Sequence, residues 1–185
     1  PKLSALVGEG HDDVTCHSQD NNCRFINDPN NVSLYKNMSG GWHDAGDYNK
    51  YVNFAYNAVI PLLTSFEYNA QAYNDDLNIV ESGNGIPDIL DEVKYELDWL
   101  LKMQAGDGGV HCVVGVQNFA SASPPSADAA NRFYGPKTTS ASFSTAAMLA
   151  FGAVEFKKVN NVAAQSYAST LQTAAINAWN WGNAN

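Results

Sequence analysis

The amino-acid sequence predicts an all-α protein built from pairs of helices that are connected by long loops. Apolar residues recur at helical spacing in three regions, which begin near residues 51, 85 and 140. One short apolar run, "VHCVVGV" at 110–116, is typical of a strand. The sequence shows no convincing pattern of a parallel sheet.

The first fifty residues are polar and rich in turn formers, as in "NDPNN" at 27–31, and they predict loops. The pattern changes at about Tyr51, from where apolar residues follow a helical period as far as Phe66. Pro61 falls inside this helix and lacks an amide donor, so we expect it to kink the helix or to shift its start.

The clearest helix lies in "GIPDILDEVKYELDWLLKMQAGDGG". Pro87 stands where a first helical position is expected, Lys102 lies near the end, and Gly106 follows. The acidic residues of its opening turns are Asp88, Asp91 and Glu92. We interpret these acids as partners of the helix dipole and as a solvated face, in preference to a catalytic role.

Two further helices are predicted from about Ser140 to Lys158 and from about Val162 to Trp179, after a loop rich in Ala, Ser and Pro. Both are rich in alanine, which has the highest helix propensity and lets helices approach closely. We therefore expect the last third of the chain to form a close helix pair.

Length and charge exclude several classes of protein. A chain of 185 residues with 45% hydrophobic content fits one domain with a sizeable core. A formal net charge of −9 disfavours a polyanionic partner, so we predict no nucleic-acid binding. No run of eighteen apolar residues occurs, and "PKLSALVGEGHDD" lacks the pattern of an export signal. We expect a soluble chain without a membrane partner.

The stretch "SGGWHDAGDYNKYV" at 39–52 combines His43, Asp44 and Asp47 with several glycines. Glycine opens backbone conformations that other residues avoid, which indicates a loop shaped for the sake of its side chains. Two carboxylates in one such loop can point into one cleft, where one of them takes a proton from an attacking water. That is the chemistry of the base of an inverting glycosidase, although the bare spacing is also common in turns.

Family 9 of the glycoside hydrolases, the mainly bacterial, plant and invertebrate cellulases, has a signature around its catalytic base that "GGWHDAGDYNKYV" resembles. A second stretch of that family resembles "ESGNGIPDILDEVKYELDWLLKMQ" at 81–104, in the same order and at similar spacing. A third resembles "PKTTSASFSTAAMLAFGA" more loosely. The resemblance covers the chain from about Cys16 onward, and its first two motifs together are highly specific.

The resemblance implies an (α/α) barrel of six helical hairpins with an open cleft for β-1,4-glucan, and hydrolysis with inversion. At the matching positions, Asp47 would be the general base and Asp44 would help to hold and polarise the same water. Trp42 would line or support the cleft. His111 is a candidate for a sugar contact, and a buried core histidine is the alternative reading.

The family's catalytic domain is far longer than this chain, and its general acid is a glutamate near the C-terminal end. None of the glutamates present here matches that position. We therefore expect 1–185 to be the N-terminal part of a single catalytic domain, with about four helices. A loop-rich leader and the base loop would occupy 1–50, and helical hairpins would occupy 51–185.

The three cysteines, Cys16, Cys23 and Cys112, are too few for a disulfide scaffold and allow one bridge or a metal site. The resemblance implies the metal site, because family members with a histidine at the position of His43 also carry an upstream "CH" pair, here Cys16 and His17, and bind structural zinc. Zinc prefers four thiolate or imidazole ligands. The family's fourth ligand is a cysteine that would fall near the start of this chain, with Cys23 as a substitute outside the pattern.

The alternative to zinc is a free thiol with two surface histidines. For the full-length enzyme the resemblance also leaves room for calcium. The leading hypothesis is a secreted, extracellular β-1,4-glucanase or cellodextrin hydrolase, whose partners are the glucan and further modules or the rest of the catalytic domain. A glucan-binding fragment without turnover and a metal-stabilised helical module remain as alternatives.

Overall fold

The computed structural model describes residues 17–44, 47–118, 122 and 127–185. Within these ranges the structure has four α-helices and four short strands. The helices are α1 (Val52–Tyr68), α2 (Asp88–Met103), α3 (Thr139–Lys158) and α4 (Val162–Ala184). The strands are β1 (Arg24–Phe25), β2 (Lys50–Tyr51), β3 (Val113–Gly115) and β4 (Phe133–Tyr134). The prediction of a mainly helical protein is confirmed.

The first two helices begin close to where their sequence signals stand. Pro61 lies in the interior of α1, so the expectation that it shifts the helix start is wrong. Pro87 is the residue that precedes α2 and not its first helical residue. Asp88 in the first turn and Lys102 in the last turn match the sign of the helix dipole at each end.

Helices α3 and α4 form the close antiparallel pair that their alanine content predicts. Side-chain oxygens of Thr138 and Asn161 accept hydrogen bonds from the first free amides of α3 and α4, respectively. Gly152 lies where three helices meet, since a Cβ there would stand 2.8 Å from Leu97 Cδ1 and 3.2 Å from Leu171 Cδ1. Small residues on α3 therefore let α2 and α4 pack against it without a gap.

A small mixed sheet with strand order β1-β4-β3-β2 connects the leader to the helices. Strand β1 pairs with β4 in parallel, and the other two pairings are antiparallel. The leader was expected to be loops, and it also contains 3₁₀ turns at Ser18–Asn22 and Val32–Leu34. Strands of two residues have no periodicity that a sequence pattern could reveal.

The hydrophobic core lies where α2, α3 and α4 meet α1 and the sheet, and Leu90, Leu97, Leu100, Met148, Leu149 and Leu171 are fully buried in it. Outside that core, Ile176 and Trp179 on α4 are 52% and 55% exposed. Together with Phe143 they line an apolar groove between α3 and α4. None of the helices in the described ranges is both long enough and apolar enough to cross a bilayer.

A buried ion cluster supports the loop between Gly40 and Tyr48. The Asp20 carboxylate, which is 1% exposed, receives hydrogen bonds from Lys50 Nζ at 2.5 Å and from Arg132 Nε at 2.8 Å. Lys50 Nζ also donates to the Gly40 carbonyl at 2.6 Å, and Arg132 Nη2 donates to the Tyr48 carbonyl at 2.7 Å. One carboxylate thus orients two cations that hold both ends of the loop.

Burial alone would raise the pKa of Asp20, but the charges of Lys50 and Arg132 outweigh it and hold the pKa below its usual value. The ionised form is therefore the one that belongs to the folded protein. Its loss as the pH falls should weaken the fold.

Replacing Asp20 with asparagine is expected to lower the free energy of unfolding by about 3–5 kcal/mol near pH 7, because two buried cations lose their shared anion. A folded-state pKa below the unfolded one means that the aspartate stabilises the protein above about pH 4 and ceases to do so as the pH falls through the folded-state pKa. The difference between wild type and variant should therefore shrink at low pH. Urea unfolding at several pH values measures it.

The control is Asp76→Asn at an exposed position, where a change within about 0.5 kcal/mol is expected. An Asp20→Asn protein as stable as wild type at pH 7, or a difference that stays constant down to pH 2, would contradict this account.

Candidate active site

The start of the base loop, which we define as residues 40–48, can be formed only by glycine. Gly40 and Gly41 have φ angles of +97° and +75°, in the left-handed region. A Cβ on Gly41 would stand 2.6 Å from the Trp99 ring, which is closer than any real contact. Gly46 lies outside the described residues. The loop is therefore pressed onto α2 at its first two residues.

Asp47, the predicted base, has a half-buried side chain that is held from one side. Its Oδ1 accepts a hydrogen bond from the Asn49 amide at 3.1 Å, and its Oδ2 accepts from Asn49 Nδ2 at 2.9 Å and Tyr51 Oη at 3.5 Å. Asn49 Oδ1 in turn accepts from the Val116 amide at 3.0 Å. The carboxylate orientation is thus tied to the end of β3.

The residue that follows Asp47 has a strained backbone. Tyr48 has a φ angle of +54°, which costs a non-glycine residue on the order of 1 kcal/mol. Its carbonyl accepts from Arg132, and its hydroxyl donates to the Ala122 carbonyl at 2.6 Å. Backbone strain that the surroundings enforce is typical of functional loops.

Asp44 is exposed, and its amide donates to the Asn49 carbonyl at 2.8 Å, which closes the loop on itself. Asp44, Trp42 and His43 line a cavity of about 140 Å³. The other lining residues are Tyr51, Phe54, Ala55, Ala58 and Glu96. Three of the predicted site residues of the loop therefore line one cavity. Asp47 does not line it, but its carboxylate contacts the lining residue Tyr51.

Two acids of α2 bind the predicted cleft residue Trp42. The Trp42 amide donates to Glu96 Oε2 at 2.6 Å, and Trp42 Nε1 donates to Glu92 Oε1 at 3.0 Å. Glu96 is 1% exposed, and burial raises its pKa to about 7. Asp88 and Asp91 are buried as well. The interpretation of the α2 acids as a solvated face is wrong for these buried residues.

The position of Glu96 was detectable in the sequence. It lies three residues after Val93 and four before Leu100, on the apolar stripe of α2. An acid on that stripe must be buried, and a buried acid needs a partner. The partner itself, a backbone amide of the base loop, is distant in sequence and could not be predicted.

His111 is buried, and both of its ring nitrogens have partners inside the protein. Nδ1 lies 2.9 Å from the Gly135 carbonyl oxygen, and Nε2 lies 3.2 Å from Lys36 Nζ. Burial and the nearby Lys36 charge lower the pKa of His111 to about 4. Sugar contact by this ring stays a prediction, and it would require the Lys36 contact to open.

His17 and His43 come together, with ring centroids 4.6 Å apart. Burial lowers the pKa of both, that of His43 to about 3, so both rings are neutral near pH 7. His17 Nε2 lies 3.2 Å from Asp128 Oδ2, while its buried Nδ1 has no partner among the described residues. The alternative of two surface histidines is wrong for His17, which is 3% exposed. Cys16, the third predicted ligand, lies outside the described residues.

Cys23 and Cys112 are both free thiols. Cys23 is fully buried, and its Sγ lies 3.5 Å from the Asp20 carbonyl oxygen. Burial and the Asp20 charge raise the pKa of Cys23 to about 12, which disfavours the thiolate that a metal requires. Cys23 as a substitute zinc ligand stays a prediction, and among the described residues its Sγ is not grouped with His17 and His43.

Three carboxylates, Asp75, Asp88 and Asp91, have oxygen atoms within 4.8 Å of one another. Of the residues that the structure describes, these form the one group close enough together to hold a metal ion. All three accept internal hydrogen bonds, for example Asp75 from the amides of Gly83 and Gly85. An all-oxygen set suits a hard cation such as calcium better than zinc.

The chain is similar to known proteins over most of its length. The family model of glycosyl hydrolase family 9 matches residues 9–185. Endoglucanase D of Acetivibrio thermocellus is 39% identical over 145 residues, which are 77% of this chain and 23% of that protein. Among solved structures, a family 9 protein of Bacteroides ovatus has a TM-score of 0.80 at 27% identity, over 90% of this chain and 31% of that one.

A zinc-binding triple mutant of the family 9 endoglucanase J30 is also similar, with a TM-score of 0.74 and 31% identity over 90% of this chain and 32% of that chain. The chain thus spans 23% of the length of Endoglucanase D, and 31% and 32% of the two solved structures. These structures confirm the predicted fold class, a portion of the (α/α) barrel. The chain belongs to glycosyl hydrolase family 9.

Proposed function

We propose that this chain carries the base half of an inverting β-1,4-glucan hydrolase that acts on cellulose or cellodextrins. The observation that carries the proposal is the Asp47 carboxylate, which Asn49 and Tyr51 hold in a loop whose backbone is strained beside it. The matched relatives include proteins called endoglucanase, cellulose 1,4-beta-cellobiosidase and cellodextrinase, and these names support a glucan substrate.

In this mechanism Asp47 takes a proton from a water as that water attacks the anomeric carbon from the face opposite the leaving sugar. Asp44, exposed on the same loop, holds and polarises the water. Trp42 forms an aromatic wall of the cavity. His111, which lies outside the lining of this cavity, is a candidate sugar contact. The general acid must stand about 6.5–9.5 Å from the base, across the scissile bond. We propose that a glutamate outside this sequence supplies it.

The enzyme would work outside the cell, because an insoluble glucan polymer cannot reach a cytoplasmic site. Its partners would be the glucan and the covalently attached remainder of the catalytic domain or further modules. A second candidate is glucan binding without turnover. The aromatic residues Trp42, Tyr51 and Phe54 around the cavity favour it, because flat apolar rings pack well on sugar faces.

A structural zinc fits the residues near the loop. His17 has a buried Nδ1 without a described partner, and His43 is in ring contact with it. Asp128 at His17 Nε2 is the kind of carboxylate that orients a metal-bound imidazole. We propose that Cys16, His17 and His43 hold the metal, which would link the leader to the base loop. Calcium in the full-length enzyme would find oxygen ligands at Asp75, Asp88 and Asp91.

In the protein made from the full reading frame, Asp47→Ala is expected to lower kcat on a soluble cellodextrin by about 10²- to 10⁴-fold or more, because the general base is lost. Asp44→Ala should lose less. Fold and substrate binding should remain, as measured by circular dichroism and titration calorimetry. A kcat near the wild-type value for Asp47→Ala would show that the assignment is wrong.

Residues 1–185 alone are expected to release no inverted product from carboxymethylcellulose, while the protein from the full reading frame does, because inversion needs an acid across the bond from the base. Reducing-sugar assays and NMR of the product anomer measure this. Cellodextrin binding by the short chain, together with inactivity of the longer protein, would favour the binding module instead. Robust inverting turnover by residues 1–185 would overturn the placement of the acid.

Protein purified without chelator should contain about one equivalent of zinc, and His43→Ala should lose most of it. Retention should also decline in acid, because thiolate and neutral imidazole are the ligand forms. Mass spectrometry of the metal content at several pH values is the measurement. Less than about a tenth of an equivalent in a folded, active sample would refute the zinc site.

A further inference from the structure

We propose that Glu96 is a positioning residue for the base loop, whose carboxylate holds the main chain of Trp42 and so sets the direction in which Asp44 and Asp47 leave the loop. The inference rests on the proposed function of that loop. Glu96 lies on helix α2, outside the base loop, and it takes no part in the acid-base chemistry described above.

The location of Glu96 is unfavourable for a carboxylate. It is 1% exposed on the apolar stripe of α2, and it forms no ion pair with any described lysine, arginine or histidine. A buried carboxylate costs several kcal/mol unless hydrogen bonds compensate for lost water. The compensation given by the structure is the Trp42 amide, whose nitrogen is 2.6 Å from Glu96 Oε2. That distance is shorter than the usual ~2.9 Å of an N–H···O hydrogen bond, so the two groups are in close contact.

Glu96 is one of four contacts that run along one side of α2. Glu92 accepts from the Trp42 indole, Trp99 packs on Gly41, and Lys102 Nζ donates to the Ser39 carbonyl at 2.7 Å. The four positions follow helical spacing, so they lie on one face of α2. Segment 39–42 runs along that face from Lys102 back to Glu92. Of these four α2 residues, Glu96 is the one that binds the main chain of Trp42, and Trp42 is the residue of segment 39–42 nearest to Asp47 in the sequence.

Two hydrogen-bonded steps connect this anchor to the carboxylates. Asp44 follows Trp42 by two residues and donates its amide to the Asn49 carbonyl, and Asn49 holds both oxygens of Asp47. Glu96 also lines the same cavity as Asp44. A shift of the Trp42 main chain therefore moves Asp44 directly and Asp47 through Asn49. Misplacement of a reacting group by about 1 Å can cost on the order of 10²-fold in rate.

The test uses the protein from the full reading frame and three variants. Glu96→Met keeps the side-chain length but cannot accept the Trp42 hydrogen bond, while Glu96→Gln retains an acceptor oxygen. Glu155→Met is the matched control, since Glu155 is a fully buried glutamate on α3 that binds Lys158. The measurements are kcat and KM on a soluble cellodextrin, the melting temperature, and hydrogen exchange of the Trp42 amide by NMR.

Glu96→Met should lower kcat by about 10- to 100-fold with KM within about twofold, and it should speed exchange of the Trp42 amide at least about 10-fold, as expected when a hydrogen bond is lost. Glu96→Gln should restore kcat to within about threefold of wild type. Glu155→Met should lower the melting temperature without changing kcat or Trp42 exchange.

Equal losses of kcat in Glu96→Met and Glu155→Met at similar melting temperatures would overturn the proposal, because the effect would then be one of stability. Equal inactivity of Glu96→Gln and Glu96→Met would also overturn it, because the charge and not the anchor would matter. Should the wild-type protein prove inactive, the proposed function fails. The exchange of the Trp42 amide then still decides whether Glu96 anchors the loop.

Discussion

The buried carboxylate of Asp20 is the group on which the candidate site depends. It brings Lys50 of β2 and Arg132, just before β4, to one point, and these cations bind the carbonyls at the two ends of the base loop. A buried ion cluster adds little net stability, since desolvation offsets most of the attraction. The cluster instead fixes the positions of Lys50 and Arg132, because charged groups deep in a protein are tolerated only in the arrangement that pairs them.

Helix α2 supports the same loop from the other side. The ion cluster holds the loop at its ends, while Glu96 and Glu92 hold it at Trp42, and Gly41 packs closely on Trp99. The strained Tyr48 backbone is held by the hydrogen bonds of its carbonyl with Arg132 and of its hydroxyl with the Ala122 carbonyl. A general base must keep its direction while water attacks, so rigid support on two sides matches the proposed chemistry.

Several apolar side chains of the helices are left exposed to solvent. The cavity beside Asp44 is lined by exposed Phe54, and α4 leaves Ile176 and Trp179 more than half exposed. The chain spans 31% of the similar Bacteroides ovatus structure. The base loop thus stands beside open apolar surface, which is consistent with the proposal that the general acid comes from a part of the protein that is distant in sequence.

The sequence by itself determined the helices, since apolar spacing and alanine content act locally, and it placed His43, Asp44 and Asp47 on one glycine-rich loop. The resemblance to family 9 implied that His17 and His43 lie together, and the fold brings their rings into contact. Only the tertiary structure decided that Glu96 faces a backbone amide, that Cys23 faces Asp20, and that His111 is enclosed by Gly135 and Lys36. Those contacts join residues distant in the chain, and a buried polar group finds its partner only when the whole core has packed.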